Sequence, residues 1–319
     1  MPIFKVLYYT TMQYQQENLE LMKKLFDVAE LPSPDEDTVE VLSDIDMLFA
    51  PLGYHVSNEK LVKCEKLKVI VSNTTGVPHI DMDAARQRGV KVFSLKDEQD
   101  FLVNITPTAE HAFGLILGLI RHTPWAHESV LTGEWNRRPY GAQRMLSRMS
   151  LGIVGYGRLG QMVARYGLAF GMKVFCYDPF IHVSEEGVCQ VASLSDLVKA
   201  SDVVTLHVPA NSDTHHLINR PVLDEFKQGS YLVNTARGEL VDEEALLDVL
   251  TGNRLAGAAL DVLDGEFEPD FNATQNPLVK YAHNNRNLLL TPHIGGSTFD
   301  AWRETEKRVI DMAIKFFYP

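Results

Sequence analysis

The sequence has 319 residues, a length that suits two domains of ordinary size. It is 45% hydrophobic and 23% charged, a globular composition that excludes disorder over most of the chain. Forty-two acids against 30 Lys and Arg leave a formal charge of −12, which argues against a nucleic-acid or anionic-membrane surface, since both need a basic footprint.

The first element in chain order is a strand over Phe4–Tyr9, and the start Met1-Pro2-Ile3-Phe4-Lys5 has no charged segment ahead of a long apolar one, so no signal peptide is expected. Glu17–Ala29 carries Leu19, Met22, Leu25 and Phe26 at helical spacing, and Leu31 to Asp37, with its prolines and acids, reads as a surface connection. Met47–Ala50, Lys68–Ser72 and Val90–Phe93 read as short strands, and between the last two Asp81 caps a helix that closes at Gly89. Lys96 to Asn104 is polar and irregular, a hinge candidate.

Thr106-Pro107 opens the next helix with a hydroxyl cap, Pro at the first helical position and Glu110 in the first turn. It is apolar on nearly every side through Ile120, so it is expected to be buried between domains or against another subunit. Its run Ala112–Ile120 is the longest apolar stretch, nine residues against the roughly 20 that span a bilayer. Gly133 to Arg138 is basic and aromatic but too short for a nucleic-acid patch, and reads as a loop at a dimer interface.

A second α/β series follows, with strands at Ser150–Val154, Lys173–Tyr177, Val203–His207, Tyr231–Asn234, Gly257–Leu260 and Asn287–Leu290. Gly296 to Pro319 reads as one amphipathic helix with Trp302, Val309, Ile310, Ala313 and Phe316, returning to the first domain. Apolar strands alternating with helices predict an α/β fold of mainly parallel sheets. Cys64, Cys176 and Cys189 form no CxxC pair, which favours a reduced, cytoplasmic compartment. Eleven histidines show neither HExxH nor Cys/His ligand spacing, so no metal is expected, and His215-His216 and His122 with His127 read as surface or capping residues.

Gly155-Tyr156-Gly157-Arg158-Leu159-Gly160 matches GxGxxG, directly after an apolar strand and opening a helix near Leu159. Gly155 permits the tight turn, Gly157 lets a pyrophosphate reach the backbone, and Gly160 packs helix on strand. The phosphates would then sit on unpaired N–H groups at the helix N-terminus. The next strand ends in Asp178, 18 residues after Gly160, where a carboxylate accepts from the ribose hydroxyls of NAD and repels a 2′-phosphate. No Arg or Lys follows in Pro179-Phe180-Ile181 to hold such a phosphate, so NAD is expected over NADP.

Three further strand ends carry polar groups: Asn234-Thr235-Ala236-Arg237-Gly238, Asp261 to Glu266, and Thr291-Pro292-His293. Ligands of open α/β sheets bind outside such ends. An Arg, an acid and a His beside a nicotinamide suit a 2-keto/2-hydroxy acid couple. Arg clamps a carboxylate and polarises the carbonyl, His moves the proton, and the acid orients the His and favours its charged form. His207, at another strand end, reads as lining the cofactor site, and His111 as structural.

The chain resembles the D-isomer-specific 2-hydroxyacid dehydrogenases over nearly its whole length. The segments that carry the likeness are Thr75-Gly76-Val77 with Ile80-Asp81, Ala109-Glu110-His111, Gly155 to Gly160, Tyr177-Asp178-Pro179, Leu206-His207-Val208-Pro209, Asn234 to Gly238, Ala259-Leu260-Asp261-Val262 and Thr291 to Thr298. The run His293 to Thr298 looks most like D-3-phosphoglycerate dehydrogenases. The resemblance implies two doubly wound parallel-sheet domains, Rossmann-like and flavodoxin-like, with a cleft between them. The substrate domain would comprise residues 1–101 plus 296–319, and the NAD-binding domain 102–295.

It also implies that Arg237 binds the substrate carboxylate and carbonyl, that His293 is the acid/base with Glu266 its partner, and that Asn73, Thr75, Gly76 and Val77 offer the substrate a loop. Cofactor contacts would come from Gly155, Gly157, Arg158, Leu159, Gly160, Asp178, His207, Pro209, Thr214, Thr235, Ala236, Asp261, Gly295 and Gly296, and the Pro107 helix would lie at a homodimer interface. Two departures stand out. The family places Pro directly after its catalytic Glu, whereas here Pro269 follows Glu268, while Glu266 keeps the usual offset from Asp261. Pro51-Leu52-Gly53-Tyr54-His55 stands where phosphoglycerate-type members carry an Arg, which disfavours a phosphorylated substrate, and no regulatory domain is expected after the core. The alternative reading is an NAD(H)-binding regulatory, corepressor-like protein on the same fold. A formate or phosphite dehydrogenase is disfavoured by Glu266, which formate enzymes replace by Gln.

Overall fold

The computed structural model describes residues 3–268 and 270–319, so Met1, Pro2 and the Glu268–Pro269 spacing noted above fall at least partly outside the described residues. The chain forms two compact units, Met1–Ile105 with Thr298–Pro319, and Thr106–Ser297.

The first unit is built on strands β1 (Lys5–Tyr9), β2 (Asp27–Leu31), β3 (Met47–Phe49), β4 (Val69–Val71) and β5 (Lys91–Phe93), all parallel in the order β2-β1-β3-β4-β5. Successive side chains of a strand point to opposite faces, so each strand feeds two cores. Val6, Tyr8, Met47, Phe49, Val69 and Val71 pack with Met22 and with Val309, Ile310 and Ala313 of the helix Phe299–Phe317. Leu7, Tyr9, Leu48 and Ile70 pack on the other face with Leu61 and Ala85. In the Phe299–Phe317 helix Trp302 stays 38% exposed, while Glu306, which periodicity does not single out, is buried.

Three expectations need correction here. The helix expected over Glu17–Ala29 spans Gln16–Leu25, and Asp27–Leu31 is a strand paired with β1 from Lys5↔Asp27 to Tyr9↔Leu31. This edge strand is half-exposed and interleaves Asp27 and Glu30 with Val28, Ala29 and Leu31, so its apolar residues also fit the preceding helical period. The Leu31–Asp37 segment is not merely surface. Asp37 accepts from Tyr9 OH at 2.7 Å and pairs with Lys60 at 2.6 Å, both charged side chains being nearly covered. Third, the Thr106 hydroxyl does not cap the helix Pro107–Ile120 but donates to Glu110, one turn on.

The second unit holds β6 (Ser150–Val154), β7 (Lys173–Tyr177), β8 (Val188–Gln190), β9 (Val203–Leu206), β10 (Ser230–Asn234), β11 (Leu255–Leu260) and β12 (Leu288–Leu290). All are parallel, in the order β12-β11-β10-β9-β6-β7-β8. The order reverses between β6 and β9, the switch point at which doubly wound sheets bind ligands. Strand β8, a three-residue edge with no buried residue, was not expected. The Pro107–Ile120 helix is covered inside this unit: Phe113 meets Tyr166 and Phe170 edge-on or tilted, and Ala112, Ile116 and Leu119 join one core with Leu151, Val203 and Ala259. Its all-round apolarity therefore needs neither another unit nor another subunit. Among the described residues the three cysteines are free, no helix is long and apolar enough to cross a membrane, and no group of three metal-ligating side chains is assembled.

Candidate active site

Gly155 leaves β6 between the ends of β7 and β9, its N–H donating to Tyr177 O at 2.9 Å. Its φ of +89° suits a residue without a Cβ, and a Cβ there would come within 2.6–2.7 Å of Val208 and the His207 carbonyl. Gly160 opposes the Gly155 carbonyl so closely that a Cβ would approach it to 2.1 Å. Gly157, the N-cap of the helix Arg158–Ala169, has nothing within 4 Å of the position a Cβ would take, and no side chain caps that helix. Two glycines close the turn, and the third leaves open space in front of uncapped N–H groups. That cradle fits a dinucleotide pyrophosphate. Arg158 sits in the same first turn, and burial lowers its guanidinium below the ordinary value.

Asp178 receives Tyr156 N–H on Oδ2 at 2.8 Å and Phe180 and Ile181 N–H on Oδ1 at 2.9 and 3.2 Å, which ties the glycine turn to the end of β7. Oδ2 thus accepts one backbone bond and retains a lone pair. At the end of β9, His207 Nε2 meets Thr205 Oγ1 at 3.0 Å while its buried Nδ1 has no partner, and burial pushes the imidazole down to about 4. The Thr214 hydroxyl closes a turn by donating to Pro209 O at 2.7 Å. Both residues are engaged in that turn.

At the end of β10, Asn234 staples the turn that carries Arg237. Its Oδ1 accepts from Ala236 N and its Nδ2 donates to Arg237 O, at 3.0 and 2.7 Å. Arg237 Nη1 donates to Ala236 O at 2.6 Å, and the buried Thr235 hydroxyl has no partner. Gly238 lies so tightly on Leu263 and Asp264 that a Cβ would come within 2.0–2.1 Å of their backbone. The Arg237 turn is thereby pressed onto the loop that leads to Glu266. Glu243 supports that loop from behind, accepting Asp264 N–H at 2.8 Å and Asn276 Nδ2 at 3.1 Å, with burial pushing its carboxyl up.

His293 Nδ1 stands 2.7 Å from Glu266 Oε1, and the Phe267 ring lies 5.3 Å from the imidazole. Glu268 is exposed. Of the two acids, the structure brings Glu266 to His293. His293 has a φ of +52°, a left-handed conformation costing about 1–2 kcal/mol for a residue with a Cβ. Its own N–H bonds to Asp261 O and Thr291 O, and the next two N–H groups, of Ile294 and Gly295, close on the Asp261 carboxylate at 2.9 and 2.7 Å. Thr291 Oγ1 donates to the same carboxylate at 2.6 Å, and His111 Nε2 lies 3.3 Å from it. Burial pushes the Asp261 carboxyl up, but His111, Thr291 and the two N–H groups outweigh it and hold it below the usual carboxylate range. Gly296 packs near Thr108. Sequence reasoning missed Asn234 and Glu243 as braces, Phe267 beside the histidine, and His111 as a neighbour of the site.

Asn73, Gly76 and Val77 are half-buried and Thr75 is exposed, in the loop at the end of β4 in the first unit. Thr74 Oγ1 donates to Gly76 O at 2.6 Å, and Leu95 N donates to Thr74 O at 3.0 Å, so the loop is braced from inside and from the segment after β5.

Residues 113–295 match the family model described as D-isomer specific 2-hydroxyacid dehydrogenase, NAD binding domain. The chain belongs to the D-isomer-specific 2-hydroxyacid dehydrogenase family. It is 37% identical over 269 residues to a D-3-phosphoglycerate dehydrogenase of Methanocaldococcus jannaschii, covering 83% of this chain and 48% of that protein. It is 32% identical over 280 residues to a hydroxypyruvate reductase of Thermotoga maritima, covering 88% and 87%. A crystal structure of D-lactate dehydrogenase from Aquifex aeolicus, complexed with NAD and lactic acid, superposes with a TM-score of 0.83 at 30% identity, covering 98% of this chain and 95% of that one. The chain spans about half the length of the phosphoglycerate dehydrogenases it matches first. Like other members of this oxidoreductase family it carries the NAD-binding domain, which agrees with the open glycine cradle at the switch point.

Proposed function

We propose that this protein interconverts a small 2-keto acid and the matching D-2-hydroxy acid, using NAD, with residues 102–295 as cofactor domain and 1–101 plus 296–319 as substrate domain. The observation that carries this reading is the 2.7 Å His293–Glu266 pair, on the same sheet edge as the braced Arg237 turn and the open Gly157 cradle. Bound at that edge, the nicotinamide supplies or accepts hydride at the substrate C2. Glu266 engages His293 at Nδ1, so Nε2 is the atom that gives a proton to the carbonyl oxygen in reduction and takes it from the hydroxyl in oxidation. Reduction uses the imidazolium and oxidation the neutral ring, so the two directions have opposite pH limbs. Arg237 holds the carboxylate with its planar fork, and the Asn73–Val77 loop adds backbone N–H groups.

A lone pair remains on Asp178 Oδ2 for a ribose hydroxyl, and its charge disfavours a 2′-phosphate. Arg158, Leu159, His207, Pro209 and Thr214 belong to the phosphate and adenine end, and Thr235, Ala236, Asp261, Gly295 and Gly296 to the nicotinamide end. The deciding assay is NADH oxidation against a panel of some thirty 2-keto acids. Turnover of none, with NADH still bound, would favour a regulatory NAD(H)-binding role instead.

We also propose a homodimer, on the ground of Leu131, Trp135 and Met145, which are 73%, 90% and 63% exposed in one segment, rather than of the covered Pro107 helix. Sedimentation at twice the 35.9 kDa chain mass is the expected result. The reduced cytoplasm is our proposed location.

A further inference from the structure

We propose that His111 is a positioning residue for His293, acting through Thr291 and Asp261. The proposal rests on the reading of His293 as the acid/base. The hydrogen positions follow from the acceptors. A carboxylate cannot donate, so the single Thr291 hydroxyl proton must lie on the 2.6 Å bond to Asp261 Oδ1. Thr291 Oγ1 can then only accept from His111, whose Nε2 stands 3.0 Å away. His111 is therefore protonated at Nε2, and the same N–H points towards both Thr291 Oγ1 and, at 3.3 Å, Asp261 Oδ1.

The carboxylate so fixed holds the Ile294 and Gly295 N–H groups, the two that follow the left-handed His293. Successive N–H groups turned onto one anion form a nest, and its geometry sets the direction of the side chain before it. The clamp is closely packed on the Gly295 side. A Cβ there would come within 2.8 Å of Asp261 Oδ2 and 3.5 Å of His111 Cδ2. His111 belongs to the buried Pro107–Ile120 helix, so its ring ties that helix by hydrogen bonds to the Asp261–Thr291 pair at the ends of β11 and β12. A small misplacement of a proton donor lowers turnover steeply, which makes a remote ring worth testing.

The test compares His111→Phe, which puts an apolar aromatic ring in place of the imidazole and removes the N–H, with His111→Gln, whose amide nitrogen can reach the place of Nε2. Thr291→Val removes the middle link without changing side-chain shape. Amide hydrogen exchange, read residue by residue, should be at least about tenfold faster at Ile294 and Gly295 in His111→Phe and Thr291→Val, with the β12 amides unchanged. In the same variants kcat for keto-acid reduction should fall at least about tenfold, and His111→Gln should recover to within about threefold. Unchanged exchange at both amides overturns the clamp. Faster exchange with undiminished kcat overturns the positioning role and leaves a structural contact. If the unmodified enzyme reduces no 2-keto acid, the reading of His293 fails on its own, and the exchange data still decide whether the clamp exists.

Discussion

Among the described residues two carboxylates are almost completely buried, one in each unit, and their surroundings send them in opposite directions. Asp261 is 2% exposed and Glu306 1%. Asp261 accepts on both oxygens, from Thr291 and Ile294 on Oδ1 and from Gly295 on Oδ2. Glu306 accepts from Gln15 N and Asn18 Nδ2, both at 2.8 Å and both on Oε2. Burial is the first cause acting on each acid and raises both. The donors overcome it at Asp261 and fail to at Glu306, which stays above the usual carboxylate range. Burial alone therefore does not decide ionisation; the number and placement of donors do. One carboxylate shapes a turn of the site, whereas the other closes the start of the helix Gln16–Leu25 against the helix Phe299–Phe317.

If that division is right, rate and stability should separate. The largest effect should come from the residue that the Asp261 turn presents. His293→Gln should lower turnover roughly 10²–10⁴-fold and abolish the pH limb, with NADH binding, followed by fluorescence, little changed. Near-normal turnover with the original pH profile would move the proton to another residue.

Asp261→Asn should come next. Because both oxygens accept, either orientation of the amide turns its NH₂ towards an N–H or O–H donor. The loss of one buried pairing costs about 2 kcal/mol, roughly 4–8 °C in Tm, and kcat should fall at least about tenfold as the nest opens. The sign with pH follows from the lowered carboxyl. The stability Asp261 contributes is complete above the ordinary carboxylate range and is lost as pH falls through its folded value. The difference in Tm between the unmodified protein and Asp261→Asn should therefore shrink in acid, measured by calorimetry down to about pH 3.

Asp178 tests the same rule at a carboxylate with an exposed side. Its backbone donors fix its direction, and one Oδ2 lone pair faces the cofactor in our reading. The unmodified enzyme should prefer NADH to NADPH at least about tenfold in kcat/KM, and Asp178→Ala should narrow that ratio by raising the KM for NADH. Equal use of both by the unmodified enzyme would remove Asp178 from the ribose.

The legible parts of this chain were those in which one local pattern meets one demand. Strands β6 and β7 match their expected bounds because buried apolar runs are closed by Gly155 and Asp178. The polar residues at the ends of β10 and β12 stood out because strands so buried have no other use for them. Strands β2 and β8 were missed because neither holds a buried residue, so their sequences carry no clean apolar alternation, whereas the edge strand β12 is a run of three leucines. The Thr106 hydroxyl satisfied every local rule for a cap, yet found Glu110 instead. His111 was invisible as a site neighbour because its partner Thr291 lies 180 residues away. Glu306 was hidden for a related reason: a carboxylate on an amphipathic helix reads as solvent-facing until its donors are seen on another helix.

Glu306 supplies the smallest effect and the sharpest contrast. Both of its bonds land on one oxygen, so the carbonyl of Glu306→Gln can take both and leave the NH₂ where no donor stands. An acid whose folded pKa is raised binds its proton more tightly in the folded state. The penalty of ionising it is absent at low pH, develops as pH rises through the window between the ordinary Glu value and the raised one, and is complete above the raised one. Glu306→Gln removes that penalty. Its Tm should equal or exceed that of the unmodified protein by a few degrees at about pH 7.5, the gain should vanish near pH 4, and kcat should not move. A loss of stability at neutral pH as large as that of Asp261→Asn would mean that the charge of Glu306, and not only its acceptor oxygen, holds the two helices together.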